Sequence, residues 1–375
     1  MYLNRLHLFA KFLKRNYLTL ALIIFCFLIF IRLITIHFIE DKHFLIIAEN
    51  FLAGRLSYDE PLKVPLSDIA YFNGKYHPYI GPFPSILYIP FVYLFGSSFS
   101  QRVLTILIFI LSFFAVFKIS RKFSLSVNDS IMMALFFLFG TVYLYVSAVN
   151  ITTLQIQSIA TGLLILALLE YFTKRRFLLI GLILSAAIAT RITLIFSSIF
   201  FILSILGTDI NRANKIKFVL ILIFPIIVTL SLLSIYNFQR FGDIFETGYK
   251  YNLSFSATPN HLAAEKYGLF SINHALINIY FFLLKGPELL TNSTDDLTIK
   301  PPFLKVNPLG MGILFTSPLF VYLFLLNIRK KYVLSTLLTS ALLFLPSLLY
   351  FGVGNAQFGY RYALDFYPLL LILLL

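Results

Sequence analysis

Glu40 and Asp41 stand side by side where the first long apolar run of the chain, Tyr17–Ile36, has just ended. A carboxylate at such a boundary lies near low dielectric, which raises its pKa and suits it to take a proton from an attacking hydroxyl. The bland alternative is a charged pair that only ends a membrane span. Arg191 interrupts a second apolar run and is flanked by Thr190 and Thr193. An arginine inside an apolar segment is costly and is a functional candidate by default. At a membrane surface its fork suits a lipid phosphate, although snorkelling to the interface accounts for it equally well. Arg361, within Phe358-Gly-Tyr-Arg-Tyr362, offers another guanidinium, either to an anionic headgroup or to Asp365 one helical turn on. A further polar segment carries Asp68, Lys75, Tyr76 and His77 around Asn73-Gly74, a hairpin signal. Its aromatics suit stacking on a sugar or a polyprenyl chain, and a plain loop hairpin fits as well.

Those residues have to be positioned by apolar helices. Hydrophobic residues make up 59% of the chain and charged residues only 12%, with a mean hydropathy of +0.88. A soluble domain carries about 25% charged residues. Hydrocarbon is the solvent this composition fits, and there only helices or closed barrels satisfy every backbone polar group. The apolar runs lack period-two alternation, so they predict helices rather than barrel strands. The expected fold is all-α and polytopic, with about ten transmembrane helices.

The net charge of +14 does not point to nucleic acid, because the basic residues sit in short clusters between apolar runs. The clusters are Arg5 to Arg15, Lys118/Arg121/Lys122, Lys174/Arg175/Arg176, Arg212/Lys215/Lys217 and Arg329/Lys330/Lys331. The positive-inside rule puts all of them in the cytoplasm, with the N-terminus, and so requires an even number of crossings between neighbours. That requirement demotes the proline-rich stretch Pro82–Phe95 to a surface helix. It also makes Phe177–Leu206 a hairpin of short spans with Arg191 at its outer tip, and assigns Met311–Asn327 a crossing. The result is one transmembrane domain over residues 1–375, with outer loop one at 37–100 and outer loop two at 236–310. In loop one, Phe44, Leu45, Ala48, Phe51 and Leu52 recur at helical spacing opposite Lys42, Glu49 and Asn50, which predicts an amphipathic helix flat on the membrane. No small-x-small cleavage site follows Tyr17–Ile36, so it is expected to remain as an uncleaved span. The chain stops inside an apolar run, which predicts a truncated or very abrupt C-terminus.

Several chemistries find no support. Cys26 is the single cysteine, so neither a disulfide framework nor a cysteine metal site can form within one chain. The histidines lack metal-ligand spacing, and no cofactor is expected, although a divalent metal stays compatible with the site. No phosphate-binding glycine loop, nucleophile elbow or dinucleotide fingerprint occurs. A transporter or lipid flippase, the main rival, calls for charges at mid-membrane and often for inverted repeats. Here the polar residues gather at one surface. A catalytically inactive partner in a cell-envelope assembly is the second rival.

The order of motifs resembles the GT-C membrane glycosyltransferases, in particular bacterial relatives of the dolichyl-phosphate-mannose–protein mannosyltransferases. After the acidic pair come Ala48-Glu-Asn-Phe-Leu-Ala-Gly-Arg-Leu56, Asp68-Ile-Ala-Tyr-Phe-Asn-Gly-Lys-Tyr76 and Pro82-Phe-Pro-Ser-Ile-Leu-Tyr-Ile-Pro90. Further on stand Ala189-Thr-Arg-Ile-Thr193, Tyr236-Asn-Phe-Gln-Arg-Phe-Gly-Asp243, Glu246-Thr-Gly-Tyr249, Gly310-Met-Gly-Ile-Leu-Phe-Thr-Ser-Pro318 and Gly359-Tyr-Arg-Tyr362. The resemblance implies a GT-C-like fold with amphipathic or juxtamembrane helices in outer loop one. It implies a polyprenyl-phosphate-linked sugar donor, an inverting transfer to a glycan, lipid or protein acceptor, and an active site on the extracytoplasmic face of the plasma (inner) membrane. The catalytic base falls at Asp41 or Glu40. The family usually leads with Asp and follows with Glu, whereas this chain reverses them. Arg191, Arg240 and Arg361 fall where relatives place basic residues near the lipid phosphate.

Overall fold

The structure, a computed structural model, describes residues 2–36, 42–58, 69–253, 260–291 and 299–375; for residues 2–17, 97, 291, 299 and 300 it describes the backbone alone. The long helix α1 (Tyr2–Ile36) is followed by α2 (His43–Leu52), by the antiparallel pair β1 (Ile69–Phe72) and β2 (Lys75–Pro78), and by α3 (Phe83–Phe95). The hairpin is the one Asn73-Gly74 predicted, a two-residue turn with both φ angles positive (48° and 76°).

A bundle follows: α4 (Arg102–Lys122), α5 (Val127–Phe139), α6 (Tyr143–Ala148), α7 (Thr152–Thr173), α8 (Phe177–Thr190), a 3-10 helix (Ile192–Phe196), α9 (Ser197–Leu206) and α10 (Arg212–Phe241). Local signals set several of the ends. Ser126 caps α5 by accepting from the Asp129 amide, Asn211 caps α10 by accepting from that of Asn214, and Gly242 closes α10 in the left-handed region. Helix α7 is central, packed against α4 on one side and α8 on the other, and α8 leans on α10. Gly181 makes that last contact possible, since a Cβ there would stand 2.4 Å from the Leu222 carbonyl oxygen.

The remaining elements are α11 (His261–Tyr267), a helical segment Ile272–Leu284 with α12 (Ala275–Ile279) as its regular middle, β3 (Glu288–Thr291) and β4 (Ile299–Lys305). Then come β5 (Leu309–Met311), α13 (Ile313–Thr316), a 3-10 helix (Pro318–Leu325), α14 (Lys331–Leu349), β6 (Gln357–Gly359), a 3-10 turn (Arg361–Asp365) and α15 (Tyr367–Leu374). β3 pairs with β4 antiparallel and β5 with β6 parallel. Glu288 ties this hairpin to its surroundings. It accepts from Asn307 (2.6 Å) and from Lys285 (2.9 Å), and these bonds hold its carboxyl below the ordinary carboxylate range.

Among the described residues, five helices are long and apolar enough to cross a membrane: Leu18–Ile36, α4, α7, α10 and α14. The other expected crossings are shorter apolar pieces. Ile131–Val149 breaks between α5 and α6, Phe177–Leu206 breaks at Arg191, and Met311–Asn327 is one turn of α-helix followed by a 3-10 helix.

Side-chain bonds show which helix ends lie together. Arg102 at the start of α4 donates to the Ile34 carbonyl near the end of α1 (2.7 Å), and Gln101 donates to Thr152 at the start of α7 (3.2 Å). Arg240 at the end of α10 donates to the Pro78 carbonyl, and a Cβ on Gly81 would stand 2.3 Å from the carbonyl oxygen of Thr190 at the end of α8. The chain between β2 and α3 is therefore laid across the ends of α8 and α10. The basic clusters at 118–122, 174–176, 212–217 and 329–331 fall at the opposite ends of these helices.

One element departs from expectation. α2 does form, but it is not a surface helix, because His43, Phe44, Leu45, Ile47, Ala48 and Asn50 are all buried and it packs on α3. Periodicity marked an apolar stripe, but protein rather than lipid covers it, and the covering extends round to Asn50.

Candidate functional site

The polar end of the bundle is built around two arginines and a tyrosine between them. α8 stops at Thr190, and Arg191 is extended (φ −142°, ψ 110°), so its side chain leaves the helix axis. Its guanidinium grips Asp365 with both prongs, Nε to Oδ1 and Nη2 to Oδ2 at 2.8 Å each, and Thr193 donates to the same carboxylate at 2.7 Å. The Asp365 side chain is 1% exposed and that of Arg191 15%. A carboxylate this buried needs a partner, and a bidentate arginine provides one with matched geometry. The contact joins residues 174 positions apart and ties the end of α8 to the turn that begins the last helix.

The pairing bears on both arginines. The charge of Arg191 is matched by Asp365. Arg361 does not pair with Asp365, because Arg361–Asp365 is a 3-10 turn. With three residues per turn, positions four apart lie on different faces. Arg361 instead donates from Nη1 to the Asn355 carbonyl (3.0 Å), and its Nε is buried without a hydrogen-bond partner. It makes no ion pair among the described residues.

The Cζ atoms of Arg361 and Arg191 lie 5.4 and 5.9 Å from the Tyr362 ring centre. From there a chain of rings continues: Tyr362 to Tyr350 at 6.3 Å, Tyr350 to Tyr249 at 6.3 Å, and Tyr249 to Tyr79 at 4.8 Å. Asn252 donates to the Tyr79 hydroxyl (3.2 Å). The arrangement carries one unmatched positive charge beside phenol-rich, partly exposed surface. It suits an anion attached to something with flat faces or hydroxyls.

Arg240 is not part of this surface. It is buried, donates to Pro78, Tyr236 (3.4 Å) and Asn237 (2.8 Å), and lies 3.8 Å over the Tyr236 ring and 4.7 Å from that of Phe241. It is a staple between the end of α10 and the end of β2. His77 is enclosed as well. It is buried, its Nδ1 lies 3.2 Å from the Leu56 carbonyl, and its ring centre is 5.3 Å from that of Phe241. Burial pushes its pKa below the ordinary value, and the Arg240 charge adds to the effect. Tyr76 rests on Tyr71 (4.9 Å) while Lys75, beside the turn, is exposed. Loop two joins this hairpin through Leu253, whose amide donates to Ile69 (3.0 Å), and through Tyr251, which packs on Phe72 (4.7 Å).

Glu40, Asp41 and Asp68 lie outside the described residues. The frame immediately after the acidic pair is described. The Phe44 amide donates to the Gln101 side chain (3.3 Å), which in turn donates to Thr152 and Gln155, and Gln155 donates to Asn150 (2.6 Å). The sequence gives no signal for this buried relay or for Tyr79 and Tyr350; Tyr249 stands only as the last residue of Glu246-Thr-Gly-Tyr249, and Asp365 only as a candidate partner of Arg361. Among the described residues no group of three or more His, Cys, Asp or Glu comes together.

No protein-family model matches the chain, and no curated protein matches it. Among solved structures it is similar to the oligosaccharyltransferase of Archaeoglobus fulgidus in the apo form, at 15% identity and a TM-score of 0.47. The similarity covers 96% of this chain and 50% of that one, so the chain spans about half the length of that protein.

Proposed function

We propose that the chain is a membrane glycosyltransferase that moves a sugar from a polyprenyl-phosphate donor to an acceptor hydroxyl at the extracytoplasmic face. The observation that carries this reading is Arg361, a cation with no ion-pair partner among the described residues, set beside Tyr362 and the row Tyr350, Tyr249, Tyr79. A departing lipid phosphate needs positive charge fixed in place before the reaction, and a guanidinium fits a phosphate's oxygens. Tyr249, exposed, and Tyr350 and Tyr362, half-buried, offer flat faces and hydroxyls to the sugar, with Tyr79 buried behind Tyr249. The acceptor oxygen bonds to the anomeric carbon while the bond from that carbon to the phosphate oxygen breaks, its electron pair leaving with the phosphate. Asp41 or Glu40 takes the acceptor's proton, and attack from the opposite side inverts the anomeric centre. The motif order described above supports the same reading, as does the position of the acidic pair just before the Phe44–Gln101 frame.

Radiolabelled polyprenyl-phosphate sugar, presented with an acceptor panel to protein in liposomes, tests it. Label should move with the wild type and fail to move with an Asp41→Asn/Glu40→Gln double variant that still folds. Full transfer by that variant removes the acid-base step. No transfer by the wild type to any acceptor favours the inactive-partner reading.

A further inference from the structure

The helix Ile272–Leu284 in outer loop two is amphipathic the wrong way round for a segment in water. Its inner face holds the polar side chains. His274 is buried, with Nε2 2.9 Å from the Gly268 carbonyl. Asn278 is fully buried and satisfied. The two hydrogens of its amide nitrogen are shared among the carbonyls of Tyr350 (2.7 Å), Leu348 (3.1 Å) and His274 (3.1 Å), and its oxygen accepts from the Tyr360 hydroxyl (3.0 Å). The outer face is apolar: Ile272 is 73% exposed, Leu276 81%, Leu284 59%, with Ile279 and Tyr280 between them. Asn273, in the first turn, is the one polar residue on that side. A helix bordering water shows the opposite pattern, apolar inward and polar outward.

Its depth follows from its bonds. Two of the carbonyls that Asn278 caps mark the end of α14: Leu348 is in its last turn and Tyr350 is the residue just after it, where carbonyls lack helix partners. The Ser271 amide donates to Leu349 (2.9 Å) and the Phe351 amide to Leu269 (3.0 Å), which fastens the helix's entry to the same level. The helix thus sits where a crossing helix leaves the bilayer. The exposed face of α14 that leads to it carries Tyr332, Leu334, Leu338 and Leu345. Whatever covers that face extends onto Ile272–Leu284, and an apolar helix face at a membrane boundary fits the seam between headgroups and acyl chains.

We infer that Ile272–Leu284 lies in the plane of the membrane with Ile272, Leu276, Tyr280 and Leu284 in the acyl boundary of the outer leaflet, so that outer loop two is partly immersed rather than free in water. This rests on the membrane reading of the long helices and not on glycosyl transfer.

Single cysteines in a Cys26→Ser background, labelled with an environment-sensitive fluorophore in liposomes containing acyl-chain-brominated lipid, test the immersion. Leu276→Cys should be quenched as strongly as Leu338→Cys on α14, and Asp243→Cys, exposed beyond the end of α10, should not be. Unlabelled Leu276→Cys should react about tenfold more slowly than Asp243→Cys with a charged thiol reagent, which meets a desolvation cost in the acyl region. Quenching and reactivity at Leu276 equal to those at Asp243 overturn the inference. Protection from both the lipid quencher and the reagent assigns the face to a protein partner and overturns it too. If Leu338→Cys itself escapes quenching, the membrane reading fails and takes this inference with it. Because Leu276 is 81% exposed, its replacement leaves the packing intact.

Discussion

Arg191 and Arg361 reach the same tyrosine ring, yet one is locked and the other is open. Arg191 spends its fork on Asp365, and the pair presents no net charge. Arg361 has a carbonyl, a ring face and an Nε without a partner. An arginine within an apolar run signals a cost that something must offset. The difference between these two shows that the offset can be internal; under the proposed function, the phosphate falls to the arginine whose charge the protein leaves unmatched.

That contrast can be broken most forcefully by removing Asp365. Asp365→Ala leaves a buried guanidinium unpaired and should cost about 3–5 kcal/mol, read as a large fall in thermal midpoint in detergent. An Arg191→Met/Asp365→Leu double variant should recover most of that stability, because the desolvation cost of both charges disappears together. Arg361→Ala should do the reverse, keeping the thermal midpoint and lowering label transfer by about a hundredfold, as for loss of one preorganised electrostatic contact. A stability loss at Arg361 comparable to that at Asp365 would erase the distinction. Arg191→Lys keeps the charge but not the fork, and should cost about 1.5 kcal/mol in unfolding free energy. The smallest effect concerns the closed region around Arg240. His77 is buried beside it and its pKa is lowered from 6.5. The unfolded chain therefore binds a proton more readily than the native one. Stability should be full above about pH 6.5 and fall as pH drops toward the lowered native value. His77→Gln should flatten that slope in a thermal-melt series, and an unchanged slope would mean the pocket is wet.

Part of this was legible from residues alone. Asn73-Gly74 announced its hairpin because a two-residue turn with positive φ at both positions admits few residue types. The basic clusters marked one end of the bundle, because charge between apolar runs has nowhere else to go. Arg191 was visible as an interruption, but its partner was not. Asp365 is remote in sequence, and its turn is 3-10 rather than α, which breaks the four-residue spacing that seemed to offer it to Arg361. Helices α2 and Ile272–Leu284 show the other limit. Periodicity reveals that a helix has two faces, but whether the apolar one meets protein or lipid depends on what the rest of the chain puts beside it. In α2 it meets protein; in Ile272–Leu284 the polar face turned inward.

The β1–β2 hairpin also says where the chain tolerates additions. At its tip, Asn73 and Gly74 bear on nothing that holds the bundle, and a short peptide tag inserted between them should leave the protein foldable and the tag accessible to an antibody. A few residues later the margin vanishes. Pro78 carries the Arg240 bond and Gly81 is pressed onto the end of α8, so even one added methyl group at Gly81 meets backbone. A single strap thus serves as both a handle and a rivet.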